Sequence, residues 1–250
     1  MFHKEVKIKE GAFIVSDAHY SELRPELFEL IEAIRFKKLL PTQLIFMGDI
    51  FDALFGGVAY TQKKNQKMIQ YVNEISQTLE IIYLEGNHDF NVAAFFENIK
   101  VFPIASQPVK CLYEEKKICL AHGDFDGDFA YKLYTKLIRN KFLVKFLAFI
   151  DLLLGHAILR KLDAYLAKKE DCREFKGFRE RIASRLLQKY ECDYFIEGHY
   201  HQNKNFEFGD FHYINLGAFA CNQRYFIVKS SQSKELLEEK RLSQGDEKYE

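Results

Sequence analysis

The stretch IYLEGNHDF, residues 82–90, follows an apolar run with the polar residues Asn87, His88 and Asp89. Such residues after a strand are common in turns, because Asn and Asp tolerate turn geometry and cap helices. They are also side chains that bind metal ions and transfer protons. Both interpretations stay open until the other segments of the chain are considered.

Four other segments end in the same way, with Asp or His after an apolar run. They carry Asp17 and His19, Asp49 and Asp52, His122, and His199 and His201. Each segment alone fits a helix cap or a tight turn. Together the five segments hold five of the eight histidines of the chain. Because burying so many polar groups without partners would be costly, we expect the set to bind a ligand.

The types of these side chains point to metal ions. Carboxylate, amide and imidazole groups suit Mn, Fe, Zn or Mg rather than an ion that prefers thiolates. The candidate donors are Asp17, His19, Asp49, Asn87, His122, His199 and His201. Seven donors exceed one tetrahedral ion and suit two adjacent ions, which in proteins lie about 3.5–4 Å apart and clamp phosphate esters.

Strands and helices alternate in the first half of the chain, which predicts an α/β fold with parallel crossovers. The predicted strands are 12–17, 42–49, 80–87, 192–201, 205–219 and 224–230, with a hairpin over 110–124 and helices over 25–36 and 63–79. The candidate donors all fall at strand ends. Open α/β sheets place their ligands beyond the carboxyl ends of the strands.

Composition limits the class of protein. The 250 residues are 48% hydrophobic and carry no net charge, so the bulk charge gives no case for a nucleic-acid partner. The five cysteines form no CxxC pair, which argues against a disulfide framework or a cysteine zinc site and fits a reducing compartment. Residues 1–11 lack the apolar run of a secretory signal, and no 18-residue apolar window predicts a spanning helix.

The motifs resemble those of the calcineurin-like metallophosphoesterase superfamily. The matching blocks are Asp17-x-His19, Gly48-Asp49-x-x-Asp52, Gly86-Asn87-His88-Asp89, His122 and Gly198-His199-x-His201. The resemblance implies a four-layer αββα sandwich. It also implies that Asp17, His19 and His201 hold one metal, that Asn87, His122 and His199 hold the other, and that Asp49 bridges them. His88 would face the substrate as a catalytic group, with Asp52 hydrogen-bonded to it.

The segment over 126–190 has the pattern of long helices and is longer than simple members of that superfamily need. Between residues 132 and 185 there are 14 Lys or Arg and 6 acids, a local balance of 14 − 6 = +8. Residues 142–159 are apolar apart from four positions. This pattern predicts either a cap that meets an anionic, apolar partner or a core helix pair with solvated basic edges. The expected division is a core of 1–125 and 191–230, a cap of 126–190, and a charged tail of 231–250 that is frayed or a short exposed helix.

A metallophosphoesterase with such an insertion resembles the UDP-2,3-diacylglucosamine pyrophosphatases. These are peripheral enzymes of the bacterial inner membrane in lipid A synthesis, usually with manganese, and they release UMP and 2,3-diacylglucosamine 1-phosphate. The resemblance implies a cytoplasmic enzyme whose partners are the lipid-linked sugar nucleotide and the inner-membrane surface. It places Asp128 and Tyr131 near the glucosamine. The chain departs from the better-known members at His88, where they carry Arg, and at Asp52, where they carry Glu or similar.

Other functions fit parts of the pattern. A phosphatase or phosphodiesterase acting on a soluble nucleotide or phosphoprotein would share the metal site without needing the apolar cap. A scaffold that keeps the fold without the chemistry would tend to lose donors, and all seven are present here. A nuclease would use the basic stretch, although no nucleic-acid partner is expected. The sequence does not indicate the oligomeric state.

Overall fold

The computed structural model describes residues 6–127, 129–168 and 172–242. The strands are β1 (Val6–Lys7), β2 (Phe13–Val15), β3 (Leu44–Phe46), β4 (Leu54–Phe55), β5 (Ile81–Leu84), β6 (Asp89–Phe90), β7 (Ile99–Phe102), β8 (Val109–Tyr113), β9 (Lys116–Ala121), β10 (Tyr194–Glu197), β11 (Lys204–Phe208), β12 (Phe211–Asn215), β13 (Arg224–Val228) and β14 (Leu237–Arg241). The helices are α1 (Glu26–Arg35), α2 (Ala59–Lys64), α3 (Gln66–Ser76), α4 (Phe129–Ile138), α5 (Lys141–Leu153), α6 (Ala157–Leu166), α7 (Phe178–Leu186) and α8 (Phe219–Asn222).

Two six-stranded sheets form the centre of the molecule. One has the order β14-β13-β2-β3-β5-β7, and its four strands from β2 to β7 are parallel. The other has the order β1-β8-β9-β10-β12-β11, with β9, β10 and β12 parallel. The predicted α/β fold with parallel crossovers and the hairpin β8–β9 are confirmed.

The strands β2, β3 and β5 are buried on both faces, as their nearly continuous apolar sequences predict. Side chains alternate between faces along a strand. Ile14, Ile45 and Ile82 point to a core shared with the second sheet, whereas Phe13, Leu44 and their next-but-one neighbours pack towards the helices. The two sheets therefore lie face to face.

Helices cover the outer face of each sheet. The face of α1 is built from Leu27, Leu30, Ile31 and Ile34, the spacing of an amphipathic helix, and it joins the core under the first sheet together with α3. Helix α7 packs Phe178, Ile182 and Leu186 on the second sheet. These layers give the predicted αββα sandwich, and α7 lies against the core although it falls within the predicted insertion.

Helices α4, α5 and α6 follow β9 and rest on the sheet edge that carries the candidate donors. Val144 packs with Val58 and Phe90, which joins the insertion to the core. We propose that α4–α6 constitute the cap. Within the described ranges no single helix is long and apolar enough to cross a bilayer, and α5 and α6 pass a test of length and composition only as a pair bent by 102°.

The bend between α5 and α6 explains the polar positions in the apolar stretch. The Asp151 carboxylate accepts hydrogen bonds from the main-chain N–H groups of Ile158 and Leu159 at 2.9 and 3.1 Å. It also accepts from Nδ1 of His156 at 2.9 Å. Asp151 therefore caps the start of α6, where the chain turns.

Two expectations from the sequence are wrong: that the cysteines do not form disulfides, and that the charged tail is frayed or helical. Cys172 and Cys221 form a disulfide with a Cα–Cα distance of 5.8 Å, while Cys111, Cys119 and Cys192 are free. Pairing depends on proximity in the fold, which a separation of 49 residues does not reveal. The tail is also not a helix over 237–241, because β14 pairs with β13 as the edge strand of a sheet. The rest of the predicted tail after residue 242 lies outside the described residues.

Candidate active site

The seven candidate donors meet at the carboxyl ends of both sheets. Asp17, Asp49 and Asn87 follow parallel strands of the first sheet. His122 and His199 follow neighbouring strands of the second sheet. Because the sheets face one another, segments far apart in sequence converge on one cluster.

One group consists of Asp17, His19 and His201, whose possible ligand atoms all lie within 4.8 Å of one another. Nε2 of His201 is 3.1 Å from Oδ1 of Asp17. His19 is 1% exposed, and neither of its ring nitrogens has a hydrogen-bond partner among the described residues. A buried imidazole without partners is costly, so it fits a site that is completed by a metal ion.

A second group consists of Asp49, His122 and His199, which meet the same distance criterion. Nε2 of His122 lies 3.3 Å from Oδ2 of Asp49 and 3.3 Å from Oδ1 of Asn87. Nδ1 of His122 is 2.9 Å from the carbonyl oxygen of Met47, which can only accept, so Nδ1 carries the proton. Its Nε2 then faces the cluster, as a metal-binding histidine requires. Burial alone would lower the pKa of His122, but Asp49 raises it well above the usual value, so a bound metal ion would displace the proton on Nε2.

The two groups are tied together by main-chain hydrogen bonds. The N–H of His199 lies 3.1 and 3.0 Å from the two carboxylate oxygens of Asp17. The N–H of His88 donates to Oδ1 of Asp49 at 2.8 Å. The donors of the two groups therefore belong to one continuous cluster, in the arrangement expected for a pair of ions.

The backbone of the cluster is strained. Asp17, His19, Asp49, His199 and His201 all have positive φ angles, between 46° and 62°. This region is uncommon for residues other than glycine, and such residues concentrate at functional sites. The local geometry therefore favours ligand binding over simple turn formation.

Two glycines allow close packing against the carboxylates. A Cβ atom on Gly86 would lie 2.2 Å from Oδ1 of Asp49. A Cβ atom on Gly198 would lie 2.4 Å from Oδ2 of Asp17. Only glycine fits at these two positions, which explains why each precedes a donor in the sequence.

The electrostatics of the cluster favour a cation. Burial alone would raise the pKa of Asp17, but the neighbouring His201 lowers it to about 2. Burial also opposes ionisation of Asp49, yet His122 and His88 hold its pKa well below the usual value. Burial and the charge of His122 lower the pKa of His199 to about 4, so its imidazole is neutral at pH 7. Two buried carboxylates beside imidazole and amide donors fit divalent ions such as Mn, Fe, Zn or Mg.

His88 lies beside this cluster, 8% exposed, with its ring centroid 4.7 Å from that of His19. Its Nδ1 is 2.8 Å from the main-chain oxygen of Asp52, whereas the Asp52 carboxylate is 4.0 Å away. The expected hydrogen bond from His88 to the carboxylate is therefore replaced by one from His88 to the main-chain carbonyl. The carboxylate is nearer to Nδ1 of His19, at 3.5 Å.

Asp89 organises the loops that carry the donors, a role that sequence reasoning missed. Its fully buried carboxylate accepts from the main-chain N–H groups of Asp49, Ile50, Phe51 and Gly86 at 3.1, 2.6, 3.3 and 2.8 Å. It also accepts from the hydroxyl of Tyr83 at 2.5 Å. The signal was its position directly after Asn87 and His88, inside the motif.

Arg139 and Asp124 were also missed. Nη2 of Arg139, just after α4, donates to the carbonyl of Gly86 at 3.0 Å and lies 3.4 Å from Oδ2 of Asp124. Nε and Nη1 of Arg139, and Oδ1 of Asp124, are buried without partners among the residues that the structure describes. Nothing in the spacing separates Arg139 from the other basic residues of the insertion. Tyr131 donates to Asp124 at 3.1 Å; Asp128, its predicted companion, lies outside the described residues.

An apolar cavity of about 520 Å³ opens beside Asn87 and His88. Its walls are mostly aliphatic and come from the cap. The cap residues are Tyr134, Ile138, Val144, Leu147, Ala148, Asp151, Ile158, Leu159, Leu162 and Leu166, and Phe55, Val58 and Phe90 complete the wall from the core. The polar cluster therefore borders a space suited to hydrocarbon.

Several sequence relatives of this chain share one name. The chain is 25% identical to the UDP-2,3-diacylglucosamine hydrolase of Histophilus somni (strain 129Pt) over 198 residues, which covers 76% of this chain and 83% of the relative. It is also 25% identical to the protein of that name from Haemophilus influenzae (strain PittGG) over 236 residues, covering 90% of this chain and 96% of the relative.

Among solved structures, the phosphoesterase Yfce of E. coli matches with a TM-score of 0.47 and 14% identity, covering 88% of both chains. An archaeal phosphodiesterase matches with a TM-score of 0.45 and 15% identity, covering 92% of this chain and 98% of that one. The profile of the calcineurin-like phosphoesterase family matches residues 12–203, which include all seven candidate donors. The chain therefore belongs to the calcineurin-like phosphoesterase family and is a metal-dependent hydrolase.

Proposed function

We propose that this enzyme hydrolyses the pyrophosphate bond of UDP-2,3-diacylglucosamine, releasing UMP and 2,3-diacylglucosamine 1-phosphate. The observation that carries the proposal is the apolar cavity that begins at Asn87 and His88. Enzymes that act on small soluble phosphate esters have no need of hydrocarbon beside the reacting phosphate. The similarity to hydrolases named for this substrate supports the same conclusion.

The lining of the cavity suits acyl chains, and its volume of about 520 Å³ is that of an ordinary ligand pocket. Leu159, Leu162 and Leu166 offer methyl groups along one face of α6. Acyl chains buried there would gain about 0.8 kcal/mol per CH₂ group removed from water. This gain would hold the lipid sugar with its phosphate at the polar cluster.

We assign the donors to two metal ions, for which manganese is our proposal. Asp17, His19 and His201 would hold one ion, and Asn87, His122 and His199 the other. Asp49 would reach both. When bound, the ions would supply charge neutralisation at the phosphates and a lower pKa for water.

His88 is the proposed catalytic side chain. Because its Nδ1 donates to the main chain of Asp52, its Nε2 is the nitrogen available to the substrate. In the protonated form Nε2 would donate to a phosphoryl oxygen or to the leaving oxygen. Asp52 would act on the position of His88 through its carbonyl and on His19 through its carboxylate.

Tyr131 and Asp128 are the proposed contacts of the glucosamine. The Tyr131 hydroxyl donates to Asp124, two residues after the candidate donor His122. This hydrogen bond would fix the tyrosine at the entrance of the cluster. Arg139, which also approaches Asp124, would add a positive charge at the same place.

We propose that the cap rests on the anionic surface of the bacterial inner membrane from the cytoplasmic side. Phe129, Phe142 and Leu153 are 82%, 86% and 70% exposed. Phe142 and Leu153 lie in the segment 132–185 with the local charge of 14 − 6 = +8, and Phe129 lies three residues before it. Exposed apolar residues among basic ones suit an anionic interface. Phe142→Ser should reduce co-sedimentation with anionic vesicles, whereas Phe36→Ser, a 60% exposed phenylalanine outside the cap, should not.

The decisive experiment measures UMP release from UDP-2,3-diacylglucosamine by the manganese-loaded protein, with His122→Ala as the blank. Leu162→Trp should raise the KM for this substrate by filling the cavity, and Leu154→Trp, at an exposed leucine outside it, serves as the control. Protein that cleaves bis(p-nitrophenyl) phosphate but releases no UMP from the lipid would overturn the lipid assignment. That result would favour a phosphatase or phosphodiesterase acting on a soluble nucleotide or phosphoprotein. The supporting feature is the presence of His88 and Asp52 where the better-known pyrophosphatases carry Arg and Glu or similar.

A further inference from the structure

A second cavity, of about 440 Å³, is lined by Asp52, whose carboxylate lies 3.5 Å from Nδ1 of the candidate donor His19. Polar and apolar groups contribute equally to its lining, which includes Tyr20, Glu22, Asp52, Asn65 and Asp163. It shares no lining residue with the apolar cavity within the described part of the chain. Two spaces of different chemistry therefore lie close to the metal-binding cluster.

Helix α6 separates these two spaces. Its residues Leu159, Leu162 and Leu166 line the apolar cavity. Its residues Asp163 and Ala164, with Ala167 just after its end, line the polar one. At 3.6 residues per turn these two sets fall on neighbouring faces of the helix. One amphipathic helix thus serves as the wall between the cavities.

Both cavities reach the reacting centre through residues that touch each other. His88 lines the apolar cavity and Asp52 lines the polar one. Nδ1 of His88 is 2.8 Å from the carbonyl oxygen of Asp52. Tyr20, in the polar cavity, directly follows the candidate donor His19. A substrate with phosphates at the cluster can therefore extend one arm into each space.

We propose that the polar cavity binds the nucleoside of the sugar nucleotide, with Glu22 accepting hydrogen bonds from the ribose hydroxyls. This inference rests on the proposed function, because a pyrophosphate whose lipid arm fills the apolar cavity must place its nucleoside elsewhere. A carboxylate is a common acceptor for ribose hydroxyls in nucleotide sites.

The other polar groups of the cavity fit the same ligand. Lys64 already pairs with Asp163 at 2.7 Å, so the acidic lining disfavours a further phosphate and suits an uncharged sugar and base. Asn65 is 6% exposed and its amide nitrogen donates to the carbonyls of Ala53 and Thr61. Its amide oxygen is then the atom that can accept from the N–H of a base.

The first test is binding of UMP to the manganese-loaded full chain, measured by calorimetry. Ala164→Trp should fill the cavity and weaken UMP binding by about tenfold or more, a loss like that of a well-made contact. Ala164→Ser should bind like the wild type. Equal UMP affinity in Ala164→Trp and wild type, with unchanged melting temperature and metal content, would overturn the proposal.

A second test does not depend on the folding of the tryptophan variant. Wild-type protein should bind UMP more tightly than 2′-deoxy-UMP, by about threefold to tenfold for a hydrogen bond to a charged group. Glu22→Gln should reduce this preference, while Glu29→Gln, on α1 and outside the cavity, should keep it. A preference that is absent in the wild type, or retained in Glu22→Gln, contradicts the role of Glu22.

The two proposals fail separately. If the wild type releases UMP from the lipid sugar nucleotide, Ala164→Trp should raise its KM more than it lowers kcat, and an unchanged KM would reject the cavity as the nucleoside site. If no UMP is released, the lipid assignment fails. Loss of UMP binding in Ala164→Trp would then still support a nucleotide site, and unaltered UMP binding would overturn it.

Discussion

His88 is held by the main chain of Asp52 and not by its side chain. Nδ1 of His88 lies 2.8 Å from the carbonyl oxygen and 4.0 Å from the nearest carboxylate oxygen. A carbonyl oxygen stays in place when the side chain of residue 52 is changed. The position of His88 and the charge of Asp52 can therefore be separated by mutation.

We expect Asp52→Asn to lower kcat by less than about tenfold, whereas His88→Asn should lower it by about a hundredfold or more, the usual range for a general acid–base group. Both variants should retain metal, since neither removes one of the seven donors. Steady-state kinetics with metal analysis checks the pair. Equal losses in the two variants would show that the Asp52 carboxylate, rather than its carbonyl, governs His88.

Metal removal should destabilise the protein as well as inactivate it. Asp17 and Asp49 are buried carboxylates, and both nitrogens of His19 lie buried without hydrogen-bond partners in the described structure. Metal at one hundred times its Kd would stabilise the fold by about 2.7 kcal/mol. For a chain of this size, that corresponds to a rise in Tm of about 5–10 °C.

Thermal unfolding with EDTA, and again after manganese is restored, measures this shift. His19→Ala is the matched variant, because it removes a donor and also the buried imidazole that lacks hydrogen-bond partners in the described structure. Its Tm should respond much less to EDTA. The same Tm with and without metal in the wild type would contradict the placement of ions at these donors.

Asp89→Asn should destabilise the loops on both sides of the cluster. The amide would replace one acceptor oxygen with an NH₂ group that faces main-chain donors. Burial and the neighbouring Asp49 raise the pKa of Asp89 to about 7. Above that pH, loss of hydrogen bonds to this buried charge should cost about 1.5–3 kcal/mol. Tyr83→Phe removes a single donor to Asp89 and should cost about 1 kcal/mol. Denaturant unfolding ranks the two variants, and an equal or reversed ranking would argue against Asp89 as the organising acceptor.

The hydrogen bonds of Asp151 at the start of α6 lead to a prediction for the apolar cavity. Asp151→Ala removes the acceptor for the first turn of α6 and should cost about 0.5–2 kcal/mol. Because α6 contributes three leucines to the apolar cavity, the KM for a diacylated substrate should rise. Cleavage of bis(p-nitrophenyl) phosphate should change less, since that substrate does not use the cavity. Parallel kinetics on the two substrates tests the difference.

The stabilisation of α6 by Asp151 depends on pH, and the sign of this dependence can be derived. Burial alone would raise the pKa of Asp151, but hydrogen bonds from His156, Leu159 and Ile158 lower it below the usual value. Because the pKa is lowered in the folded protein, the carboxylate stabilises the start of α6 above the unfolded pKa of about 4. This stabilisation is lost as the pH falls below that value. The stability difference between wild type and Asp151→Ala should therefore narrow in acid. A stability difference between the two proteins that grows as the pH falls would contradict this role of the Asp151 carboxylate.

The candidate metal donors could be proposed from the sequence because their types and their strand-end positions are local features. Asp17, Asp49, Asn87 and His122 could be identified without knowing which strands are neighbours. The parallel strands of the first sheet could also be predicted, because strands such as β3 and β5 are short apolar runs between helices.

Features that depend on three-dimensional proximity could not be predicted from the local sequence. The contact of His88 with a carbonyl, rather than a carboxylate, depends on backbone geometry. The Cys172–Cys221 pair joins two segments with no spacing signal. Strand β14 was expected to be unpaired because it is charged, yet charged side chains are typical of an edge strand, where they oppose further pairing.

Arg139 yields the last prediction, for a residue that no motif identifies. Its guanidinium joins the carbonyl of Gly86 to the carboxylate of Asp124, and its own carbonyl accepts from Nδ2 of Asn91 at 2.9 Å. It therefore links the end of α4 to the loops that follow β5 and β9. Arg139→Ala would leave Asp124 buried without its cation, a loss that typically costs several kcal/mol when both groups are buried.

We expect Arg139→Ala to lower kcat/KM by tenfold or more, with part of the loss in KM because the cap is no longer anchored beside the cluster. Arg139→Lys should recover the charge but not the two-acceptor geometry, and should fall between the alanine variant and the wild type. Lys136→Ala, one turn earlier on α4, changes the same net charge at an exposed position and serves as the control. If both alanine variants lose the same activity, general attraction by the basic cap accounts for the effect. A loss confined to Arg139 indicates that this one buried guanidinium couples the cap to the metal-binding loops.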